Sequence, residues 1–291
     1  MGVAFALMWS SAFTSAKIAL ADAPPLLLLT ARFLLSGLIA VAIGLALGQR
    51  PPRRAAQWGR LVLLGLCQNS VYLGLFFIAM TTIPAGLAAI IASAMPLLVA
   101  AFGPLVSPER IGAGGLAGLL LGFGGVVAIM ADRLGGNADP LGIGLCLIGV
   151  TALAAATLLV RHGNMGTGLF MMVGLQMLVG GAALAPFAFA GERFDQIVPT
   201  WSLAAAFAYT TLVPGVIATW LWFALIGRIG AARASAFHFL NPGFGVAVAW
   251  LLLAEPIGLI DVLGVAVVAA GILLVQLSRA GAAARPPAQD Q

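Results

Sequence analysis

The sequence contains little charge: only 8% of its 291 residues are Asp, Glu, Lys or Arg, whereas 62% are hydrophobic. An average soluble domain carries about 25% charged residues, which help to cover its surface. This chain has too few charged residues to cover a water-facing surface of comparable size. The composition therefore predicts an all-α membrane domain whose main solvent is lipid.

Acidic residues are missing from the middle of the apolar segments. All nine, from Asp22 to Asp290, fall in predicted loops, at segment ends or in the C-terminal tail. Carriers that couple to protons usually place a titratable group inside the bilayer. Coupling through a membrane carboxylate is therefore not expected, and His238 is the only central group that titrates near neutral pH.

Catalytic and metal-binding patterns are also missing. The only two cysteines, Cys67 and Cys146, lie in separate apolar segments and predict neither a disulfide nor a metal site. The chain has no phosphate-binding P-loop, no GxSxG or HExxH motif and no basic run with interleaved aromatic residues. We therefore predict no cofactor, no metal, no nucleic-acid partner and no enzymatic activity, with an intramembrane enzyme as the weaker alternative.

Ten apolar segments are long enough to cross a bilayer, which takes about 20 residues of helix. The predicted spans are residues 2–20, 25–48, 57–80, 84–105, 111–131, 139–160, 167–190, 200–226, 230–254 and 257–278. With the N-terminus inside, ten Lys and Arg residues fall on the cytoplasmic side and three on the external side, Arg32 being left out. This asymmetry predicts that both termini are cytoplasmic.

The two halves of the chain are related in sequence. An offset of 146 residues aligns residues 83–130 with 229–276 without a gap, pairing Pro96 with Pro242 and Glu109 with Glu255. Five spans in each half place the second half upside down relative to the first, as in many secondary transporters. We predict an inverted pair of five-helix repeats, at 1–134 and 135–280, followed by a disordered cytoplasmic tail at 281–291.

These features resemble the drug/metabolite transporter superfamily and, within it, the EamA-type transporters with five plus five helices. The resemblance rests on WSSAFTSAK in the first span, TARFLLSG in the second, and the related blocks LVSPERIG and LLAEPIG. Within the superfamily the chain is most similar to YddG-type exporters of aromatic and other apolar amino acids. The resemblance implies ten helices around one central cavity, with spans 1, 3, 4, 6, 8 and 9 lining it.

Polar side chains inside the spans are candidates for substrate contact, because hydrocarbon offers them no other partner. In the first span, Ser10 and Thr14 are four residues apart and lie near Trp9. Hydrogen bonding between helices is an equally good interpretation of these hydroxyls. The third span carries two amides and a phenol at helical spacing, and we expect them to face the cavity: Gln68, Asn69 and Tyr72.

Paired helix breaks are a second indication of a transport site. Pro96 and Pro242 occupy equivalent positions in the fourth and ninth spans, and each removes a helical hydrogen bond. The residues near the two breaks are predicted to contact substrate: Ser93, Phe237, His238 and Asn241. Tyr209, in the eighth span, would add to an aromatic wall. Packing inside the protein is the alternative for a lone histidine.

Arg32 lies about seven residues, or roughly 10 Å, inside the outer end of the second span. A long cationic side chain at this depth can extend toward the membrane surface, which lowers the cost of its charge, or it can make a structural contact with another helix. A role in an external gate or in anion recognition is the alternative. The sequence alone leaves both interpretations open.

The resemblance and the neutral polar segments together predict a facilitative transporter that exports amino acids, aromatic and other apolar ones, by alternating access. The predicted location is the bacterial inner membrane, with the amino acid and the lipid bilayer as partners and a homodimer left open. The alternatives are a proton-coupled exporter of other small metabolites or drugs, and a passive channel.

Overall fold

The protein consists of helices joined by short loops within residues 1–106, 112–135, 139–162, 166–235, 237 and 240–283, which are the residues that this computed structural model describes. No β-strand occurs in these ranges. We number the helices in chain order: α1 Gly2–Leu20, α2 Pro25–Ala46, α3 Ala55–Ala79, α4 Ala85–Ala92, α5 Met95–Val106, α6 Ala113–Gly135, α7 Pro140–His162, α8 Leu169–Gly191, α9 Trp201–Ser235, α10 Leu240–Leu253 and α11 Leu259–Ala283.

Seven stretches of helix in the described ranges are long and apolar enough to cross a membrane. They lie in α1, α2, α3, α4 with α5, α7, α8 and α9. Three shorter apolar stretches, Ala113–Gly125, Gly243–Leu253 and Leu259–Gly271, occupy the positions of the remaining predicted spans. The chain is therefore a multi-pass membrane protein, with seven segments that meet the length criterion.

The two prolines begin helices instead of kinking them. The helix of the fourth predicted span ends at Ala92 and resumes at Met95, which makes Pro96 the second residue of α5. Pro242 is the third residue of α10, where a missing N–H removes no intrahelical bond. Pro242 therefore lies in the first turn of α10, and residues 236, 238 and 239, between the end of α9 and the start of α10, lie outside the described residues.

Two boundaries also differ from those predicted. Helix α9 continues to Ser235, nine residues beyond the predicted end of the eighth span, because residues 227–235 contain no proline to stop it. Helix α11 reaches Ala283, so the first three residues of the predicted disordered tail are helical. The rest of that tail, 284–291, lies outside the described residues.

Two π-helical segments lie at related positions along the chain. Leu66–Leu73 forms the middle of α3, and Thr211–Ala218 forms the middle of α9, at an offset of 145 residues. A π-segment inserts an extra residue into a helical turn and is frequent at functional sites. Its hydrogen bonding also accommodates Pro214, which lies inside α9 and has no N–H to donate.

Helices from the first and second parts of the chain pack against each other. Helix α2 packs along α8, and α6 packs along α11. Helix α1 contacts α9 and α10, while α7 contacts α3 and α5. In this arrangement, each helix of one half packs mainly against helices of the other, and the spans bearing π-segments lie in the interior.

Close helix contacts depend on glycines that leave no room for a side chain. A Cβ on Gly174 of α8 would lie 2.6 Å from the Val41 side chain and 2.7 Å from the Gly37 carbonyl oxygen of α2. A Cβ on Gly144 of α7 would meet nothing within 4 Å. Small residues of this kind allow helices in membranes to approach closely.

We therefore expect Gly174→Leu to destabilise the protein, because the added side chain must push α2 and α8 apart. Overpacking of this kind typically costs about 1–3 kcal/mol. The melting temperature of the purified protein in detergent measures the effect, with Gly144→Leu as the matched control. Equal melting temperatures for the two variants would contradict the close α2–α8 contact.

Candidate functional site

A buried cavity in the middle of the helix bundle is the candidate site. Side chains from α1, α2, α3, α8 and α9 line it: Trp9, Ala12, Phe13, Arg32, Gln68, Asn69, Tyr72, Leu73, Phe77, Met80, Met177, Pro214 and Thr219. The open space in it is only about 30 Å³. Sites for small molecules usually measure about 300–1,000 Å³. The cavity is therefore contracted around a space suited to one or two waters.

The π-segment of α3 supplies the polar wall. Gln68, Asn69 and Tyr72 are 5%, 1% and 1% exposed, and all three line the cavity. The Asn69 amide nitrogen donates to the carbonyl oxygen of Gln176 in α8, at 2.9 Å, which holds that side chain in place. The structure thus brings together the three residues whose spacing indicated a common face.

The π-segment of α9 forms the opposite wall, where side chains of α2 bind the backbone. Pro214 cannot donate to the carbonyl of Thr210, four residues before it. Arg32 Nε donates to this carbonyl oxygen at 3.0 Å, and the Ser36 hydroxyl donates to the Thr211 carbonyl oxygen at 2.9 Å. Two side chains of α2 thus attach this helix to the segment of α9 that contains Pro214.

Arg32 is a buried cation. It is 4% exposed, and its guanidinium lies 5.5 Å and 5.9 Å from the ring centres of Phe33 and Phe77. These distances are within the range of cation–π attraction. It forms no salt bridge within the part of the chain that the structure describes. Arg32 therefore points into the bundle and makes a structural contact with α9 instead of extending to the membrane surface.

Aromatic rings complete the cavity wall. Tyr72 meets Phe76 edge-to-face at 4.7 Å, and Phe76 lies 5.9 Å from Phe13. Tyr72 of α3 and Trp9 of α1 both line the cavity. Paired rings of this kind pack more favourably than their buried area alone suggests.

The cavity is closed at the end toward the start of α1 by an aromatic cluster, which we call the Phe5 cluster and define as Phe5, Trp9 and Trp222. Phe5 stacks on Trp222 with ring centres 5.1 Å apart and lies 5.4 Å from Trp9. Phe5 and Trp222 are about one helical turn beyond the cavity residues Trp9 and Thr219. These rings separate the cavity from that end of the bundle.

A polar cluster closes the other end, which we call the Lys17 latch and define as Lys17, Glu255 and the segment Met80–Gly86. The Lys17 amine donates to the carbonyl oxygens of Met80 and, at 3.0 Å, of Ile83. The Glu255 carboxylate accepts from the backbone N–H groups of Ala85 at 2.7 Å and Gly86 at 2.9 Å. Lys17 and Glu255 also attract each other.

The backbone before Glu255 explains how its side chain reaches α4. Ala254 has φ 53°, a left-handed conformation that commonly ends a helix. This turn directs Glu255 back across the bundle to the first N–H groups of α4, where a carboxylate is stabilised. The latch therefore joins α1, the end of α3, the start of α4 and the end of α10.

Several predicted residues lie outside the cavity lining, in helix contacts. The Ser10 hydroxyl donates to the Asn241 carbonyl oxygen at 3.3 Å, which joins α1 to α10. Ser93 donates to the carbonyl oxygen of Ala89, one turn earlier in α4. The Thr14 hydroxyl is buried and has no hydrogen-bond partner among the described residues. The Ser10 bond fits the alternative of hydrogen bonding between helices, whereas Ser93 bonds within its own helix and Thr14 shows neither arrangement.

The remaining candidates are more distant. Tyr209 lines a separate cleft of about 440 Å³ between α1, α9 and α10, where its hydroxyl lies 2.7 Å from that of Ser11. Phe237 packs against Gly2 at the start of α1, away from the cavity. His238 lies outside the described residues, and the side chains of Pro96 and Pro242 are not described.

Other residues of the lining were not identified from the sequence. In the sequence, Phe13, Phe77, Met80 and Met177 look like ordinary packing residues. Pro214 carried a usable signal, because a proline within an apolar helix demands another arrangement of the backbone. Thr219 donates to the Pro214 carbonyl oxygen at 3.1 Å and stabilises the same segment.

Comparisons with known proteins agree on the family. The model of the EamA-like transporter family matches residues 1–131 and 140–277. The chain is 28% identical to the uncharacterized transporter YvbV of Bacillus subtilis, over 92% of this chain and 88% of that protein. It is also 28% identical to the uncharacterized inner membrane transporter YedA of Escherichia coli, over 96% and 90% respectively.

A solved crystal structure shares the fold, with a TM-score of 0.72, 20% identity and coverage of 96% of both chains. Protein PecM of Dickeya dadantii is 23% identical over 87% of this chain and 83% of its own length. The two matches of the family model together span most of the sequence. The chain therefore belongs to the EamA-like transporter family, within the drug/metabolite transporter superfamily.

Proposed function

We propose that this transporter is a facilitative carrier that exports amino acids, chiefly aromatic and other apolar ones, by alternating access. The observation that carries the proposal is the composition of the cavity wall. It combines one buried guanidinium, two amides and the rings of Trp9, Phe13, Tyr72 and Phe77. Polar groups of this kind suit the charged end of an amino acid, and the rings suit an apolar side chain.

The contracted state of the cavity supports a carrier instead of a pore. Its open space of about 30 Å³ cannot hold an amino acid. The Phe5 cluster closes one end and the Lys17 latch closes the other. Substrate entry therefore requires one of the two ends to open, and alternate opening moves substrate across without a continuous channel.

The proposed membrane arrangement is ten spans in two inverted repeats, 1–134 and 135–280, with both termini in the cytoplasm. Support comes from the related positions of the two π-segments and from the packing of α2 on α8 and α6 on α11. The excess of Lys and Arg in the predicted cytoplasmic loops supports the orientation. In this orientation the Lys17 latch is external and the Phe5 cluster is cytoplasmic.

Facilitative transport follows from the charges of the cavity. No carboxylate lines it in the described part of the chain, and its one charged group, Arg32, stays protonated in proteins. A substrate would then run down its own gradient, outward in a cell that accumulates it. In a proton-coupled mechanism, His238 would be the residue that takes up and releases the proton.

Uptake of radiolabelled phenylalanine, tryptophan and leucine into liposomes containing the purified protein tests the proposal. We expect saturable uptake that an imposed proton gradient does not change. Uptake that requires the gradient would overturn the facilitative mechanism and direct attention to His238. Absence of uptake for every amino acid tested, with a correctly folded protein, would overturn the proposed substrate class.

A further inference from the structure

The environment of Arg32 is unusual because a buried cation is bound mainly by a neutral backbone oxygen. Its described contacts are the Thr210 carbonyl oxygen, two aromatic rings and the nearby phenol of Tyr72. A buried charge without an ionic partner is costly, and a carboxylate would reduce that cost. The guanidinium also lies on the cavity wall, within reach of a bound molecule.

The Thr210 carbonyl is a replaceable partner. It lies at the boundary between regular α-helix and the π-segment of α9, four residues before Pro214. A hydrogen bond between a guanidinium and a carboxylate is roughly twice as strong as a bond between neutral groups, and it can be bidentate. A carboxylate in the cavity would therefore compete effectively with this carbonyl for Arg32.

We propose that Arg32 binds the carboxylate of the substrate, and that the carboxylate takes the place of the Thr210 carbonyl oxygen. The exchange removes one of the two described hydrogen bonds from α2 side chains to the backbone of α9, at Thr210 and Thr211. The remaining bond, from Ser36 to the Thr211 carbonyl oxygen, is a single neutral contact. Carboxylate binding thus loosens α9 from α2 and links substrate recognition to the opening of the cavity.

The inference rests on the proposed function but is narrower, since it assigns one chemical requirement to one residue. It predicts that a negative charge on the substrate is essential and that an amino group is not. Aromatic carboxylates without an amino group should therefore bind. Amides and amines with the same aromatic side chain should bind much more weakly.

The test measures the melting temperature of the purified protein in detergent with four compounds that share a benzyl group. They are phenylalanine, phenylalaninamide, 3-phenylpropionate and phenethylamine, supplemented by matched acid and amide pairs with aliphatic side chains. We expect the acids to raise the melting temperature and to bind at least about tenfold more tightly than their amides. Amides or amines that bind as tightly as the acids, or a panel in which no carboxylate binds, would overturn the inference.

Three variants assign the effect to Arg32. Arg32→Gln should remove the preference for acids. Arg32→Lys should retain part of it, because a lysine keeps the positive charge but lacks the paired N–H donors with which a guanidinium binds both carboxylate oxygens. Ser36→Ala should keep the preference, because it removes only the neighbouring bond to α9. If Arg32→Gln still binds acids more tightly than amides, Arg32 is not the residue that binds the carboxylate. If Arg32→Gln does not fold, the comparison of the wild-type protein with Arg32→Lys tests the same point.

The two proposals fail in different ways. Stabilisation by 3-phenylpropionate but not by phenylalanine would retain the carboxylate site and overturn amino acids as the substrate class. If phenylalanine and its amide stabilise the protein equally and phenylalanine uptake is saturable, the proposed transport of amino acids stands, but the role of Arg32 is overturned.

Discussion

Tyr72→Ala is expected to lower the initial rate of amino-acid transport by about tenfold or more, a loss of about 1.4 kcal/mol. Tyr72 lies in the polar wall of the cavity and is 1% exposed. Its replacement removes an aromatic ring from the wall of the proposed substrate cavity. An aromatic contact alone contributes about 0.5–1.5 kcal/mol beyond its area.

The chain provides its own control, because Tyr209 is the only other tyrosine. Tyr209 lies in the separate cleft beside Ser11 and does not line the cavity. Tyr209→Ala should therefore transport within about twofold of the wild type, an effect of the size expected away from a binding site. Uptake is measured at equal amounts of inserted protein. A strong loss in Tyr209→Ala with little loss in Tyr72→Ala would move the site to that cleft.

Glu255→Ala is expected to open the cavity at the Lys17 end. The substitution removes the carboxylate that accepts from Ala85 and Gly86 at the start of α4. Each lost hydrogen bond to a charged group costs about 1.5–3 kcal/mol, enough to shift a closed state toward an open one. We expect a cysteine placed at Ala12 in a cysteine-free background to react about tenfold faster with a membrane-impermeant thiol reagent.

Glu192→Ala is the matched control for this experiment. The Glu192 carboxylate accepts from the backbone N–H groups of Leu26 at 2.9 Å and Leu27 at 2.7 Å, at the start of α2. It has the same chemistry as Glu255 but takes no part in the Lys17 latch. Equal acceleration in both variants would indicate general loosening, and no acceleration in Glu255→Ala would show that the latch does not hold this end closed.

The membrane character of the chain was predictable from the sequence, because long apolar segments with few charges have few alternatives. The third span was the most informative single segment. Gln68, Asn69 and Tyr72 are too polar to face lipid, and their spacing placed them on one side of a helix. The structure brings these three residues together in the cavity wall.

Side-chain direction was harder to predict where two faces of a helix were both polar. Ser10 and Ser11 are adjacent, so they point in directions about 100° apart. Ser10 joins α10, whereas Ser11 faces the cleft of Tyr209. Composition cannot distinguish these two surfaces from the cavity surface, and each hydroxyl finds a carbonyl or another hydroxyl as its partner.

The direction of Arg32 depended on contacts distant in sequence. Its partner, the Thr210 carbonyl, is 178 residues away and becomes accessible to it because of the π-segment around Pro214. Local sequence therefore suggested extension toward the membrane surface as readily as burial. The useful signal in the sequence would have been the combination of a proline inside one apolar segment with an arginine inside another.

Counterflow in liposomes most directly tests the central claim, that one closed cavity is exposed alternately to the two sides of the membrane. Liposomes containing the protein are loaded with unlabelled phenylalanine, and the entry of labelled phenylalanine is followed. We predict saturable entry that the internal amino acid accelerates, with both effects reduced in Tyr72→Ala. Entry that neither saturates nor responds to the internal amino acid would indicate a channel and would contradict the account.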